Sequence, residues 1–325
     1  MAIKILIIKL GAKGDVVRTL PILTALKEKY PDSEITWLTK EDSVEILKKS
    51  PYINKVHTIP LDLNEEFDIL YNFDIEKQAT DLAQKISAKN KFGFSEDSGY
   101  PVALNSEAEY YLNTIFDDEL KKQNRKTYQE MMFELAKLPY KKQHHQIILS
   151  KAEKKYAEDF IQENNINKEK LIGIHMGASP RWPSKVWHKD NLREFIKKAE
   201  KENYNILVFG GPDEIKEHEK LKQDLEKENI KIHFNNPYNT DSEFIALVNI
   251  CNALICSDSF SLHIALALKK PTIGLFFVTS PYEVEDYGIL KKIISPFLEK
   301  HFYSDEYSEE LTKSISAQEI LDSLK

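Results

Sequence analysis

The stretch Ile3-Lys4-Ile5-Leu6-Ile7-Ile8-Lys9-Leu10-Gly11-Ala12-Lys13-Gly14-Asp15-Val16-Val17-Arg18-Thr19-Leu20-Pro21 decides the fold. Residues 3–8 are aliphatic apart from Lys4, the pattern of a buried parallel strand. Two glycines then interrupt the run, and Gly lets a ligand or another chain approach the backbone closely. Asp15 stands where an N-cap would stand, and Val16–Tyr30 reads as one helix. A carboxylate at the carboxyl end of the first strand of an open α/β sheet also lies where such folds bind ligands. These residues by themselves leave both roles open for Asp15, helix cap and ligand-site carboxylate.

The alternation continues outward. Glu34–Leu38, Val56–Ile59 and Asp68–Asn72 read as further strands, with Lys91–Phe94 a short edge segment and residues 95–126 less regular. Helices are expected at Ser43–Lys49, after Asn72 through Ile86, and at Thr127–Ala136, the last with a capping box Thr127-x-x-Glu130. The pattern breaks at Pro139–Gln146, where His144-His145 reads as a solvated linker, and Ser150-x-x-Glu153 opens a new helix. A second alternation follows. Strands are expected at Lys170–His175, Tyr204–Phe209, Ile230–Phe234, Ala253–Cys256 and Pro271–Phe276. Between them lie helices at Asn191–Glu202, Glu214–Glu228, Ser242–Cys251 (capped by Ser242 or Asp241) and Leu262–Leu268. Periodicity thus predicts two α/β halves, residues 1–150 and 151–325.

Composition narrows the partners. The 325 residues are 42% hydrophobic and 30% charged, with net charge −7, so no basic field for nucleic acid exists. No apolar run approaches the roughly 20 residues needed to cross a bilayer, and the N-terminus lacks a secretory pattern, which predicts a cytoplasmic protein. Cys251 and Cys256 read as inert buried thiols, with no zinc spacing. Asp117-Asp118 reads as a solvated turn, and no acidic pair follows a strand as a metal site would require.

Three stretches of the second half carry chemistry. Ile174-His175-Met176-Gly177-Ala178-Ser179-Pro180-Arg181-Trp182-Pro183-Ser184-Lys185-Val186-Trp187 is a strand, a small-residue turn and a cation, suited to a phosphate. Phe209-Gly210-Gly211-Pro212-Asp213-Glu214 offers a carboxylate for a ribose, or an ordinary acidic helix start. Ser257-Asp258-Ser259-Phe260-Ser261-Leu262-His263, followed by Phe276-Phe277-Val278-Thr279-Ser280-Pro281, presents a helix N-terminus flanked by hydroxyls.

Together with Lys9–Leu23, these motifs resemble the heptosyltransferase family, glycosyltransferase family 9, in order and spacing across essentially the whole chain. Met176 and His188 stand where that family often has Pro. Ser259-Phe260 replaces its Thr-Gly, and Phe277-Val278 its Gly-Pro. The resemblance implies a GT-B architecture: two Rossmann-like α/β/α domains facing each other across a cleft. The first would bind acceptor and the second a nucleotide sugar, with the last helix a candidate to pack back on the first.

It implies an inverting, metal-independent transfer of a heptose from ADP-heptose to a hydroxyl of the lipopolysaccharide inner core. No cofactor is implied beyond the ADP-sugar substrate. The acceptor would be a lipid-linked saccharide at the inner face of the membrane, so the cytoplasmic enzyme would work at the membrane periphery. By that resemblance Asp15 is the base and Lys185 the cation for the diphosphate. Gly177, Ser179, Gly210, Glu214, Asp258, Ser259, Phe260, Ser261, His263 and Thr279 bind donor, and Lys13, Gly14 and Arg18 bind acceptor. The alternatives are a transferase or epimerase of similar architecture using another nucleotide sugar, and a non-catalytic nucleotide-sugar-binding protein. A NAD-dependent oxidoreductase is disfavoured because Gly11-x-x-Gly14 is not its fingerprint.

Overall fold

The computed structural model describes residues 2–60, 65–145 and 147–325. Two compact units emerge. Unit 1 comprises the chain up to Ile148 together with Tyr282–Glu285, and unit 2 comprises Leu149–Pro281 and Asp286–Lys325.

In unit 1 the strands are β1 (Lys4–Ile8), β2 (Glu34–Thr39), β3 (Lys55–Thr58), β4 (Phe67–Asn72), β5 (Ala88–Asp97) and β6 (Tyr100–Ala103). Their order is β3-β2-β1-β4-β5-β6, all parallel except β6, which runs antiparallel to β5. β1 sits at the centre, with Ile5 opposite Ile35 on one side and Ile69 on the other. That position explains its composition, since a strand flanked by neighbours and covered on both faces is apolar throughout. Leu6, Ile8, Leu10, Leu38, Leu70, Ala79 and Ala83 form one buried cluster on it.

Unit 2 holds β7 (Leu171–His175), β8 (Asn205–Phe209), β9 (His233–Phe234), β10 (Ala253–Ser257), β11 (Thr272–Phe276) and β12 (Leu290–Ile294). The order β12-β11-β10-β7-β8-β9 is all parallel. Counted from each unit's first strand, both sheets follow the order 3-2-1-4-5-6 of the dinucleotide-binding fold. The order reverses beside β1 and β4 in unit 1, and beside β7 and β10 in unit 2. Such switch points open the crevice in which α/β sheets bind ligands.

Several local expectations change. The helix expected over 16–30 is two helices, Lys13–Thr19 and Ile22–Lys29, because Pro21 cannot donate to the first and instead starts the second. Asp15 therefore lies in a first turn, and the N-cap is Ala12, which makes no side-chain cap bond. β5 is a long inner strand rather than a short edge, and residues 95–126 form a hairpin with β6 followed by helices Ser106–Phe116 and Asp118–Gln123. Asp117 caps the latter by accepting from the Leu120 amide at 2.9 Å. The boxes at Thr127/Glu130 and Ser150/Glu153 are formed. The cap of helix Asp241–Ile250 is Thr240, boxed with Glu243, rather than Ser242 or Asp241.

His145 is not solvated: it is 3% exposed, lies edge-on to Tyr52, and burial pushes its imidazole down to about 4. Both cysteines are buried, which pushes their thiols up to about 12. The last helix, Ala317–Ser323, packs within unit 2. Ile320 and Leu321 join the cluster that contains Phe195 and Ile196 of helix Lys189–Lys201. Among the described residues no helix is long and apolar enough to cross a membrane.

Candidate functional site

At the switch point of unit 1, the loop after β1 turns over Gly11 into helix Lys13–Thr19. A Cβ added at Gly11 would stand 3.2 Å from Asp15 Oδ2 and 3.3 Å from Lys9 Nζ. Glycine is thus needed there for close approach, with two charged groups packed against its Cα. Arg18 Nη2 donates to Asp15 Oδ1 at 2.8 Å, and its guanidinium lies 3.9 Å from the Tyr128 ring centroid. Stacking and ion pairing together fix the guanidinium plane. The Tyr128 and Thr19 hydroxyls hydrogen-bond at 2.9 Å, and Gln129 Nε2 donates to the Arg18 carbonyl at 3.3 Å.

Beneath this lies a second pair that the sequence reading did not single out. Lys9 Nζ donates to the Phe73 carbonyl at 3.0 Å and stands 3.5 Å from Asp74 Oδ2, the two side chains being 5% and 6% exposed. Asp74 also accepts the Leu10 amide at 2.9 Å, tying the ends of β1 and β4 together. The available signal was an acid two residues past an apolar strand, at Asn72-Phe73-Asp74. Lys13 and Gly14 occupy the first turn of the same helix as Asp15, half-buried.

In unit 2 the loop after β7 carries Gly177–Lys185. It is anchored at its far end: the Glu306 carbonyl accepts from Ser184 Oγ, Ser184 Oγ accepts from the Ser308 amide, and Trp187 Nε1 donates to the Ile315 carbonyl at 2.9 Å. Lys185 Nζ is thereby brought to Asp258, just past β10, donating to its carbonyl at 2.9 Å and its Oδ2 at 3.2 Å. His263 Nε2 stands 3.8 Å from the other oxygen, Asp258 Oδ1. Helix Phe260–Ala267 starts at this point, and Ser259 Oγ and Ser261 Oγ, 2.8 Å apart, lie within its first turn and cap. Thr279, three residues past β11, has a buried hydroxyl with no hydrogen-bond partner among the described residues.

The loop after β8 approaches from the other side. Glu214 Oε2 accepts the Gly211 amide at 2.7 Å, and a Cβ on Gly177 would stand 2.7 Å from Glu214 Oε1. Gly177, Gly210 and Glu214 are therefore in contact, which explains the glycine at 177: any side chain would displace the carboxylate. His175 Nδ1 pairs with the Gly177 carbonyl at 3.1 Å, and burial holds its imidazole down at about 4. The Phe260 ring stacks on Phe244, centroids 5.8 Å apart at 30°. Phe244 in turn meets Phe209 and His175 edge-on. Phe244 and His175 complete an aromatic wall that short-range spacing does not reveal. Ser179 stays exposed, and its recorded bonds are to the amides of Arg181 and Trp182 within its own loop.

Among the unit 2 residues expected to bind donor, Lys185–Asp258–His263 and Gly177–Gly210–Glu214 form two groups. Asp15 and Arg18 form a separate cluster in unit 1. Among the described residues no three His, Cys, Asp or Glu side chains gather as a metal site.

Comparison with known proteins places the chain in a family. The profile of glycosyltransferase family 9 (heptosyltransferase) matches residues 61–311. Lipopolysaccharide heptosyltransferase 1 of Campylobacter coli is 26% identical over 313 residues, covering 90% of this chain and 89% of that protein. The crystal structure of a glycosyl transferase family 9 protein from Veillonella parvula superposes with TM-score 0.77 at 19% identity, covering 99% of this chain and 96% of the other. ADP-heptose LPS heptosyltransferase II of Escherichia coli superposes with TM-score 0.73 at 20% identity, over 99% and 97%.

Proposed function

The chain belongs to glycosyltransferase family 9, the heptosyltransferases, with the two-unit α/β fold of GT-B enzymes, and we propose that it moves a heptose from ADP-heptose to a hydroxyl of the lipopolysaccharide inner core, inverting the anomeric carbon. The observation that carries this reading is Lys185 held by Asp258 at the switch point of unit 2, beside a helix start with two seryl hydroxyls.

A departing diphosphate needs cations and N–H donors that meet charge as it develops. Lys185 and the amides opening helix Phe260–Ala267 are groups of that kind. Glu214, resting on Gly177, offers its carboxylate to ribose hydroxyls. In the proposed step Asp15 takes the proton of the acceptor hydroxyl while that oxygen bonds to the anomeric carbon. The bond from this carbon to the diphosphate oxygen breaks, and ADP leaves with the electron pair. One displacement gives inversion. Arg18, Lys13 and Gly14 flank Asp15 and would receive the acceptor. The lipid-linked acceptor would bring the enzyme to the inner face of the membrane.

Protection against thermal unfolding tests the donor. ADP and ADP-heptose at 100-fold their Kd should each add about 2.7 kcal/mol. Protection by a UDP- or GDP-sugar with none by ADP would contradict the assignment.

A further inference from the structure

We propose that Tyr128 is a positioning residue for Asp15: its ring holds the Arg18 guanidinium in the place from which it grips the carboxylate. The inference rests on reading Asp15 as the base.

The ion pair alone does not define that place. Asp15 and Arg18 lie one turn apart on helix Lys13–Thr19, with side chains 36% and 17% exposed. A pair in contact with solvent is weak, because a long side chain gives up rotamer freedom to hold it. Arg18 is nonetheless settled where hydrogen bonding does not put it. Its Nε is buried and has no hydrogen-bond partner among the described residues, which costs free energy. The Tyr128 ring offsets that cost: its centroid lies 3.9 Å from the guanidinium carbon, in cation–π contact. From there Arg18 Nη2 reaches Asp15 Oδ1 at 2.8 Å.

The ring is itself fixed. Tyr128 is fully buried and opens helix Tyr128–Leu135 directly after the Thr127 cap, whose box with Glu130 is closed. Tyr111 of helix Ser106–Phe116 meets the ring edge-on, centroids 5.9 Å apart at 79°. The Tyr128 hydroxyl hydrogen-bonds Thr19 Oγ1 at 2.9 Å, and Thr19 Oγ1 donates to the Asp15 carbonyl at 2.7 Å. The neighbouring Gln129 Nε2 donates to the Arg18 carbonyl at 3.3 Å. One helix start thus holds the Arg18 guanidinium, the Arg18 backbone and, through Thr19, the Asp15 backbone. A core tyrosine needs apolar neighbours for its ring and one partner for its hydroxyl. Here the neighbour on the ring is a cation whose other end grips the base. A general base acts only within hydrogen-bond reach of the proton it takes, so the grip bears on turnover.

The test is steady-state kinetics on the full chain with ADP-heptose and an inner-core acceptor, both saturating, so that kcat is read apart from KM. Tyr128→Leu should lower kcat by roughly tenfold, part of the roughly 10²-fold that a 1 Å misplacement costs. Tyr128→Phe keeps the ring and should stay within about twofold of wild type. In an Arg18→Met background, Tyr128→Leu should lower kcat no further, because the group it orients has gone. Arg18→Lys keeps the charge without the flat fork, so it should lose as much as Tyr128→Leu. ADP affinity should be unchanged in all of these. A Tyr128 that serves only the fold would lower the melting temperature, and its loss in kcat would add to that of Arg18→Met. Additive losses, an unchanged kcat in Arg18→Lys, or a Phe variant as slow as the Leu variant overturns the proposal. If Tyr128→Leu does not fold, Arg18→Lys and Tyr128→Phe carry the test. A failure of the base reading shows separately, as undiminished turnover in Asp15→Asn.

Discussion

The two switch points carry the same device in different settings. Each places a lysine after the unit's first strand against an aspartate just past its fourth: Lys9 with Asp74, and Lys185 with Asp258. In unit 1 the side chains are 5% and 6% exposed, and in unit 2 13% and 17%. The first pair is a brace whose breakage would leave a buried charge, at a cost of about 3–5 kcal/mol. The second is more accessible, and in the proposed function its lysine exchanges a carboxylate partner for a phosphate. Topology fixes where the charges stand, and burial decides whether they support a fold or meet a ligand.

The largest effect that would sharpen this contrast is expected at Asp15, the accessible carboxylate above the sealed pair. Asp15→Asn should lower turnover by roughly 10²–10⁴-fold, as removal of a general base does, with the melting temperature nearly unchanged. Steady-state kinetics with ADP-heptose and an inner-core acceptor reads this out, and near-wild-type turnover would move the base elsewhere.

A smaller effect separates the units by pH. His145 in unit 1 and His175 in unit 2 are both held down at about 4 by burial. Unfolded imidazoles take up protons below about 6.5, whereas the folded ones stay neutral to about 4. Stability is therefore full above pH 6.5 and is lost as pH falls from 6.5 towards 4. His145, 3% exposed, should contribute a loss on the order of 2–3 kcal/mol. The half-buried His175 should contribute less. His145→Phe should flatten the decline, as read by denaturant unfolding at pH 7 and pH 5. An equal decline in that variant would remove His145 from the account.

The smallest effect is expected at Phe260. Its ring stacks on Phe244, so the helix-start amides are expected to face the diphosphate without it. Phe260→Gly should change ADP affinity by less than about threefold, well under the 1.4 kcal/mol of a tenfold change. A crystal complex with the ring in the phosphate position would refute this placement.

What was legible in the sequence was what short-range pattern encodes. Apolar runs mark the central strands β1, β4, β7 and β10, and the boxes at Thr127 and Ser150 mark helix starts. β5 and β12 were obscured because lysines populate their exposed and half-buried positions, Lys89 and Lys91 in one, Lys291 and Lys292 in the other. The single helix expected over 16–30 failed at Pro21, where a continuous apolar pattern outweighed the missing donor. The charge pairs were beyond reach for another reason. Lys9 meets Asp74, 65 positions away, and Lys185 meets Asp258, 73 positions away, and only the strand order brings these together. The motif residues could be named, but their partners, Asp74 and Phe244 among them, follow from the sheets.

The central claim is a division of labour, with the base in unit 1 and the donor on unit 2. Calorimetric titration of ADP into the full chain tests it most directly, comparing wild type, Asp15→Asn and Lys185→Met. The account predicts that Asp15→Asn binds ADP with wild-type affinity and that Lys185→Met binds it at least tenfold more weakly, a difference of about 1.4 kcal/mol. Loss of ADP binding in Asp15→Asn, with Lys185→Met unaffected, would contradict it.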